Sequence, residues 1–155
     1  MIQPVTPFNM QTITVDLQDR SYPIHIGQGL LENAYNMIKP HLVGKKVAII
    51  TDENVAKLHL GKLTASLEGH GLILVPIILA AGEGAKSFAH LQEILSKLLE
   101  ENFSRSDTLI AFGGGVIGDL TGFAASMLKR GCRFIQIPTT LLAQVDSSVG
   151  GKTAI

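Results

Sequence analysis

A chain of 155 residues that is 46% apolar, 17% charged and formally neutral is long enough for one domain with a sizeable core. Its neutrality, lack of Trp and sparse aromatics exclude a basic nucleic-acid face, a base-stacking platform and an attraction to acidic membranes. The lone Cys132 has no internal disulfide partner, the longest apolar run (Leu72 to Ala81) is too short for a bilayer and contains Pro76, and no basic-then-apolar leader opens the chain, so a soluble cytoplasmic protein is expected.

Residues 1–9 form a polar, proline-containing lead-in before a second methionine, Met10; they read as an earlier start or an expression remnant, without structure. Residues 10–155 then read as one domain. Thr12 to Leu17 and Tyr22 to Gly27 alternate apolar and polar residues about the polar turn Asp19-Arg20-Ser21, which predicts a β-hairpin. Leu30 to Lys39 has helical spacing and stops before Pro40. Val47 to Ile50 reads as a buried strand ending at Thr51-Asp52, followed by a helix to about His70 and a second buried strand, Ile73 to Leu79. Phe88 to Leu99 places Leu91, Ile94, Leu95, Leu98 and Leu99 on one helical stripe. Leu109 to Phe112 is a strand, Val116 to Leu128 a helix and Phe134 to Pro138 a strand.

From residue 46 onward, short apolar strands alternate with helices, which predicts an α/β fold: a Rossmann-like parallel sheet with helices on both faces, preceded by the hairpin. Ligands of open parallel sheets bind outside the carboxyl ends of the strands. Asp52, the loop 80–86, the turn Gly113 to Asp119 and Thr139-Thr140 all fall at such ends.

The turn Gly113-Gly-Gly-Val-Ile-Gly-Asp119 follows a strand and opens a helix, and its glycines at 113, 115 and 118 fit G-x-G-x-x-G. Unpaired N–H groups and the positive end of the helix dipole suit a phosphate there. The usual dinucleotide fingerprint has its acid about twenty residues later. Arg133 to Pro138 offers none; the available acid, Asp52, lies earlier, so only a variant with rearranged strand roles survives. Gly150-Gly-Lys-Thr153 is not a P-loop, because position 146 is Asp where that motif needs Gly. Glu83 and Lys86 are either solvated neighbours of a helix capped by Ser87 or ligand contacts. Asp119 could complement a helix dipole or accept from a ligand, and Thr139 and Thr140 could be a solvated turn or phosphate donors. Asp146 and Lys152 are isolated charges in an otherwise uncharged stretch, Phe134 to Ile155, which marks them as functional candidates. The five histidines show no ligand spacing, and Cys132 lacks a basic partner.

Gly113 to Ser126, Lys129-Arg-Gly131 and Ile137-Pro-Thr-Thr-Leu-Leu-Ala-Gln-Val-Asp-Ser-Ser-Val-Gly-Gly-Lys-Thr-Ala154 together strongly resemble 3-dehydroquinate synthase. The likeness extends more loosely through Gly82-Glu83, Lys86-Ser87 and Asp52-Glu-Asn54 to the hairpin. It implies an enzyme of the shikimate route to chorismate and the aromatic amino acids, a lyase converting 3-deoxy-arabino-heptulosonate 7-phosphate into 3-dehydroquinate and phosphate. Oxidation of a ring hydroxyl by bound NAD acidifies the adjacent C–H; phosphate leaves, hydride returns, and the opened ring closes by an aldol step.

By the same resemblance, Asp52 and Asn54 would hold the adenosine end of NAD, and Ala81, Gly82, Glu83, Gly84, Ala85 and Lys86 would surround its ribose. Gly114, Gly115, Val116, Ile117, Gly118 and Asp119, with Thr139 and Thr140, would hold the pyrophosphate and its neighbourhood. Asp146 and Lys152, as catalytic residues, would reach the nicotinamide and the substrate, and Arg130 the substrate phosphate across a homodimer interface. The loop 81–86 departs at positions 84 and 85 from the family's Gln-aromatic form. The family holds its zinc or cobalt through a Glu and two His in a helical C-terminal domain that this chain lacks. No residue here is therefore assigned to a metal, and the chain alone is expected to be inactive. Another sugar-phosphate cyclase, an iron-type polyol dehydrogenase and a non-catalytic nucleotide-binding module are the alternative readings.

Overall fold

The computed structural model describes residues 9–153 and 155, so the lead-in assigned to 1–9 lies, apart from Asn9, outside the described residues. Strand β1 (Met10–Val15) pairs antiparallel with β2 (Tyr22–Gly27), Val15 opposite Tyr22. The turn between them is closed by short polar side chains: the Ser21 hydroxyl donates to the Gln18 carbonyl at 2.7 Å and accepts from the Leu17 N–H at 2.9 Å. Helix α1 is shorter than the sequence pattern suggests, Ala34–Ile38 rather than 30–39. Residues 30–33 close turns instead, and the Asn33 amide bonds the Gly29 carbonyl at 3.1 Å rather than capping a helix.

The main sheet contains β3 (Lys46–Asp52), β4 (Ile73–Leu79), β5 (Thr108–Gly113) and β6 (Arg133–Pro138), all parallel, in the order β4-β3-β5-β6. Helical segments α2 (Glu53–Val55) and α3 (Gly61–Leu67) follow β3 through a π-helical stretch, Ala56–Leu60. Helix α4 (Phe88–Glu100) joins β4 to β5, and α5 (Gly115–Met127) joins β5 to β6.

Side chains alternate across a strand, and the two central strands are apolar on both faces. Val47, Ile49, Ile110 and Phe112 pack with Ala34, Ile38, Leu63 and Leu67 on one face. Ala48, Ile50, Leu109 and Ala111 pack with Leu91, Ile94, Leu98, Leu120 and Ala124 on the other. Each large side chain buried this way contributes about 1.5–3 kcal/mol. The sheet is thus the expected Rossmann-like layer with helices on both sides. One member of the α4 stripe fails: Leu99 is 52% exposed, because one residue beyond the buried Leu98 turns about 100° away from the sheet. Among the described residues, no helix is long and apolar enough to cross a membrane.

Asp107 fastens the amino ends of the central strands. It is 6% exposed and accepts from the Lys46 N–H at 3.1 Å, the Ser104 N–H at 2.8 Å and the Ser104 hydroxyl at 2.9 Å. Asp107→Ala strands these donors, so urea denaturation should show a loss of about 2–3 kcal/mol. An unchanged midpoint would mean that water replaces the carboxylate without cost.

Candidate functional site

The chain runs outward from β3 to β4, then crosses back to β5 and continues to β6. Connections therefore leave β3 and β5 in opposite directions, and a crevice opens at their carboxyl ends. In register, Thr51 lies beside Phe112, so Asp52 and the glycine turn flank this crevice. The acid that precedes the glycines by some sixty residues is their neighbour in space.

Helix starts gather at this edge, and they differ in one respect. At α2, Oδ1 of Asp52 accepts from the N–H groups of Asn54 and Val55 at 2.9 and 3.0 Å. At α4, the Ser87 hydroxyl accepts from the His90 N–H at 3.3 Å. At α5 the capping residue is Gly114, which has no side chain to offer, and the first turn carries no acid. The first helical bond runs from the Gly118 N–H to the Gly114 carbonyl, leaving the N–H groups of Gly115, Val116 and Ile117 facing outward. Of the three, α5 is the end whose dipole and donors have no internal acceptor, which is the requirement for binding an anion.

The glycines of the turn serve close approach. A Cβ on Gly113 would lie 2.8 Å from Ile117, one on Gly114 3.2 Å from the Thr140 methyl, and one on Gly115 3.2 Å from the Ser147 hydroxyl. Gly118 is covered by Gln136 and Gly122 by Thr153 and Phe134. The strand end and the segment after β6 press directly on α5.

Lys86 and Asp119 are neither solvated nor free. Lys86 Nζ lies 2.7 Å from Asp119 Oδ2, with the side chains 26% and 21% exposed, and so ties the loop after β4 to the first turns of α5. The hydrogen bond to Asp119 raises the Lys86 pKa against the lowering effect of burial, with the charges of Asp119 and Glu83 adding to the rise. Within that loop, Gly82 takes a φ of 100° that only glycine adopts readily, and Glu83–Ala85 forms a short turn with Ala85 buried. Glu83 and Gly84 are exposed at its tip, and the Ala81 N–H donates to Glu53 at 3.5 Å.

At the end of β6, the Thr139 N–H donates to the Gly113 carbonyl at 2.9 Å, while Thr139 Oγ1 is buried without a partner among the described residues. The Thr140 hydroxyl accepts from the Ala143 N–H at 3.2 Å and starts the π-helical turn Ala143–Ser147. Asp146 is exposed on this turn. The chain then descends along α5, from Ser147 at Gly115 to Thr153 at Gly122, about 10 Å along the helix axis. Lys152 is exposed near the bottom of this run, so its backbone stands well below the glycine turn.

Arg130 lies at the amino end of β6, at the opposite edge of the sheet, about 20 Å from Pro138 by strand length. It is exposed, and it and Lys129 both have positive φ, 67° and 48°. A cleft of about 1120 Å³ lies along the outer edge of β6 against the hairpin, lined by Tyr22, Ile24, Ile137, Thr139 and Gly150 among others. Neither Asp52 nor the glycine turn lines it.

The sequence profile described as 3-dehydroquinate synthase N-terminal matches residues 76–155. A 3-dehydroquinate synthase of Azotobacter vinelandii is 58% identical over 146 residues, covering 94% of this chain and 39% of that protein. The chain belongs to the 3-dehydroquinate synthase family. It spans about two-fifths of the length of that relative. Among solved structures, 2-deoxy-scyllo-inosose synthase complexed with carbaglucose-6-phosphate, NAD+ and Co2+ aligns with a TM-score of 0.84 at 25% identity, over 94% of this chain and 40% of that one. ValA, a 2-epi-5-epi-valiolone synthase from Streptomyces hygroscopicus with NAD+ and Zn2+ bound, aligns at 0.71 and 31%, over 81% and 34%.

The family motifs of the last third thus map onto the turn, α5, β6 and the segment lying on α5. Gln136 also belongs to this region and escaped the sequence reading; the available signal was a lone amide in the middle of the otherwise apolar Phe134 to Ile137. Among the described residues no group of three His, Cys, Asp or Glu side chains could hold a metal ion. Burial pushes the Cys132 thiol up to about 11, with the charge of Asp107 adding, so it stays protonated.

A lysine whose folded pKa is raised stabilises the fold below its unfolded value, about 10.4, and loses that contribution as pH rises through the folded value. Asp119→Asn should cost about 1 kcal/mol at pH 7 and return the Lys86 amine toward its ordinary pKa, measurable by NMR titration. An amine that titrates unchanged in the variant would show that the pair does not form in solution.

Proposed function

We propose that this chain forms the nucleotide-binding part of a cytoplasmic, NAD-dependent 3-dehydroquinate synthase acting on 3-deoxy-arabino-heptulosonate 7-phosphate. The observation that carries the reading is the uncapped amino end of α5, set at the crevice between β3 and β5 with Asp52 across from it. The Thr139 hydroxyl beside it, like those of Thr51, Thr108 and Thr121, is buried without a partner among the described residues, and it becomes a donor to a ligand if the turn moves to admit one. These features fit a dinucleotide.

In this reading, the N–H groups of Gly115, Val116 and Ile117 hold the pyrophosphate, with Gly114 and Gly118 keeping the turn tight and Thr139 donating beside it. Thr140 orders the turn that follows. Oδ1 of Asp52 is committed to its helix cap, which leaves Oδ2, with Asn54, for the adenosine end. The loop Ala81 to Lys86 forms the ribose side, held against the turn by the Lys86–Asp119 pair. Bound NAD would supply reversible removal of hydride from a ring carbon bearing hydroxyl. Asp146 and Lys152 would orient substrate on the nicotinamide side.

The remaining parts of the enzyme lie outside these residues. The metal ligands are one such part. Leu141, Leu142, Val145 and Val149 are 48–75% exposed beside Asp146, an apolar stripe that supports its being covered by a metal-holding domain. Arg130, at the far edge of the sheet, can meet a substrate phosphate only in another copy, which supports a homodimer.

The test is calorimetry with NAD, ADP-ribose and ATP. NAD and ADP-ribose should bind and ATP should bind more weakly; a preference for ATP would favour a stand-alone nucleotide module instead. Thr139→Val removes the partnerless hydroxyl while keeping the shape. The variant should be as stable as the parent or more so, yet bind NAD about 5–10-fold more weakly. Equal affinity would remove Thr139 from the site. Dehydroquinate formation by the 155-residue chain alone would contradict the assignment of essential groups to another domain.

A further inference from the structure

We propose that Gln136 is a positioning residue: its amide seats the segment Ser147 to Thr153 in a groove of α5 and so fixes where Asp146 and Lys152 stand. The functional weight of those two residues rests on the nucleotide-site reading above; the seat itself does not.

Gln136 is the one amide on β6, pairs in register with Ala111, and turns its side chain toward α5. Its Oε1 lies 3.3 Å from where a Cβ on Gly118 would be, and its Nε2 donates to the Ser148 carbonyl at 3.0 Å. Above this contact Ser147 rests on Gly115, and below it the Thr153 methyl rests on Gly122. Positions 115, 118 and 122 are spaced i, i+3, i+7 and share one face of the helix. The three glycines therefore form a continuous groove, and the segment lies in it with Gln136 as the polar tie at its middle.

The Ser148 and Val149 N–H groups bond back to the Ala143 and Asp146 carbonyls at 2.9 and 3.0 Å, and beyond the segment Ile155 packs on the core shared with α5. Asp146 and Lys152 are exposed, and neither forms an ion pair among the described residues. The other tie is longer, the Gly150 N–H to the Tyr22 hydroxyl at 3.4 Å. Without the Gln136 donor, the half-buried Ser148 carbonyl loses its partner, and between Ser147 and Thr153 the segment is held to the rest of the fold by the longer Tyr22 contact and by van der Waals contact with the groove. The arrangement also gives Gly118 and Gly122 a reason independent of any phosphate.

The test is amide hydrogen exchange by NMR on the whole chain, comparing the parent with Gln136→Met, Gln136→Glu and Gly122→Ala. In Gln136→Met, protection of the hydrogen-bonded amides of Ser148, Val149 and Gly150 should fall at least tenfold while β5 and the body of α5 keep theirs. Gln136→Glu presents a carboxylate to the Ser148 carbonyl at pH 7 and should release the segment. Near pH 4, about the ordinary Glu pKa, the protonated carboxyl can donate and protection should return, a recovery that loss of packing alone would not show. Unchanged protection in Gln136→Met, or release in Gln136→Glu that acid does not reverse, would overturn the proposal. Should Gln136→Met loosen the whole sheet, Gly122→Ala decides from the other side of the groove: release confined to Ser148, Val149 and Gly150 supports the seat, and unchanged protection there refutes it. Titration with NAD runs in parallel. If the parent binds NAD, Gln136→Met should weaken it several-fold, and equal affinity would deny the seat its positioning role. If the parent does not bind NAD, the nucleotide reading fails while exchange still decides the seat.

Discussion

The pairing of β3 with β5 is the constraint on which the rest of this structure depends. Both strands are buried on both faces, and their connections leave in opposite directions. That reversal opens the crevice at the carboxyl edge, and it brings an acid and a glycine turn from distant parts of the sequence to its two sides. Every group assigned to the cofactor is either on this edge or hung from it. If the register of β3 on β5 slipped by one residue, alternate side chains would change faces and both cores would fail together.

Hydrogen bonding at the edge then sorts the helix ends. Asp52 and Ser87 satisfy the first N–H groups of their own helices, and Gly114 does not. The same residue type that lets Thr140 approach the turn closely also leaves α5 without an acceptor. Packing and electrostatics therefore ask for glycine at this place for separate reasons. The Lys86–Asp119 pair adds the third dimension by drawing the loop after β4 over the face carrying α5.

Much of this was legible from local pattern. The uninterrupted apolar run Val47 to Ile50 read as a buried strand, and Pro40 marked the limit of α1. The edge residues Asp52, 80–86, 113–119 and 139–140 followed from knowing where parallel strands end. What the pattern missed depends on contacts between separated residues. Lys86 and Asp119 are 33 positions apart, so no spacing reveals that they neutralise each other. Gly118 completed a phosphate-like spacing, yet its lack of a side chain is accounted for by Gln136, 18 positions later. The outer stretch of α1 was lost to a local turn closed by Asn33, and Leu99 to a single step of helical rotation. Arg130 carries a family motif and stands at the amino end of β6, away from its own chain's crevice, in keeping with the sequence reading that put it across an interface.

The central claim is that the amino end of α5 is the pyrophosphate site. The most direct measurement is a titration of the 15N-labelled chain with ADP-ribose, followed residue by residue. The amides of Gly115, Val116 and Ile117 should shift first and furthest, with Asn54 and Thr139 following. Shifts confined to Tyr22, Ile24, Ile135 and Gly150, around the cleft between the hairpin and β6, would contradict it.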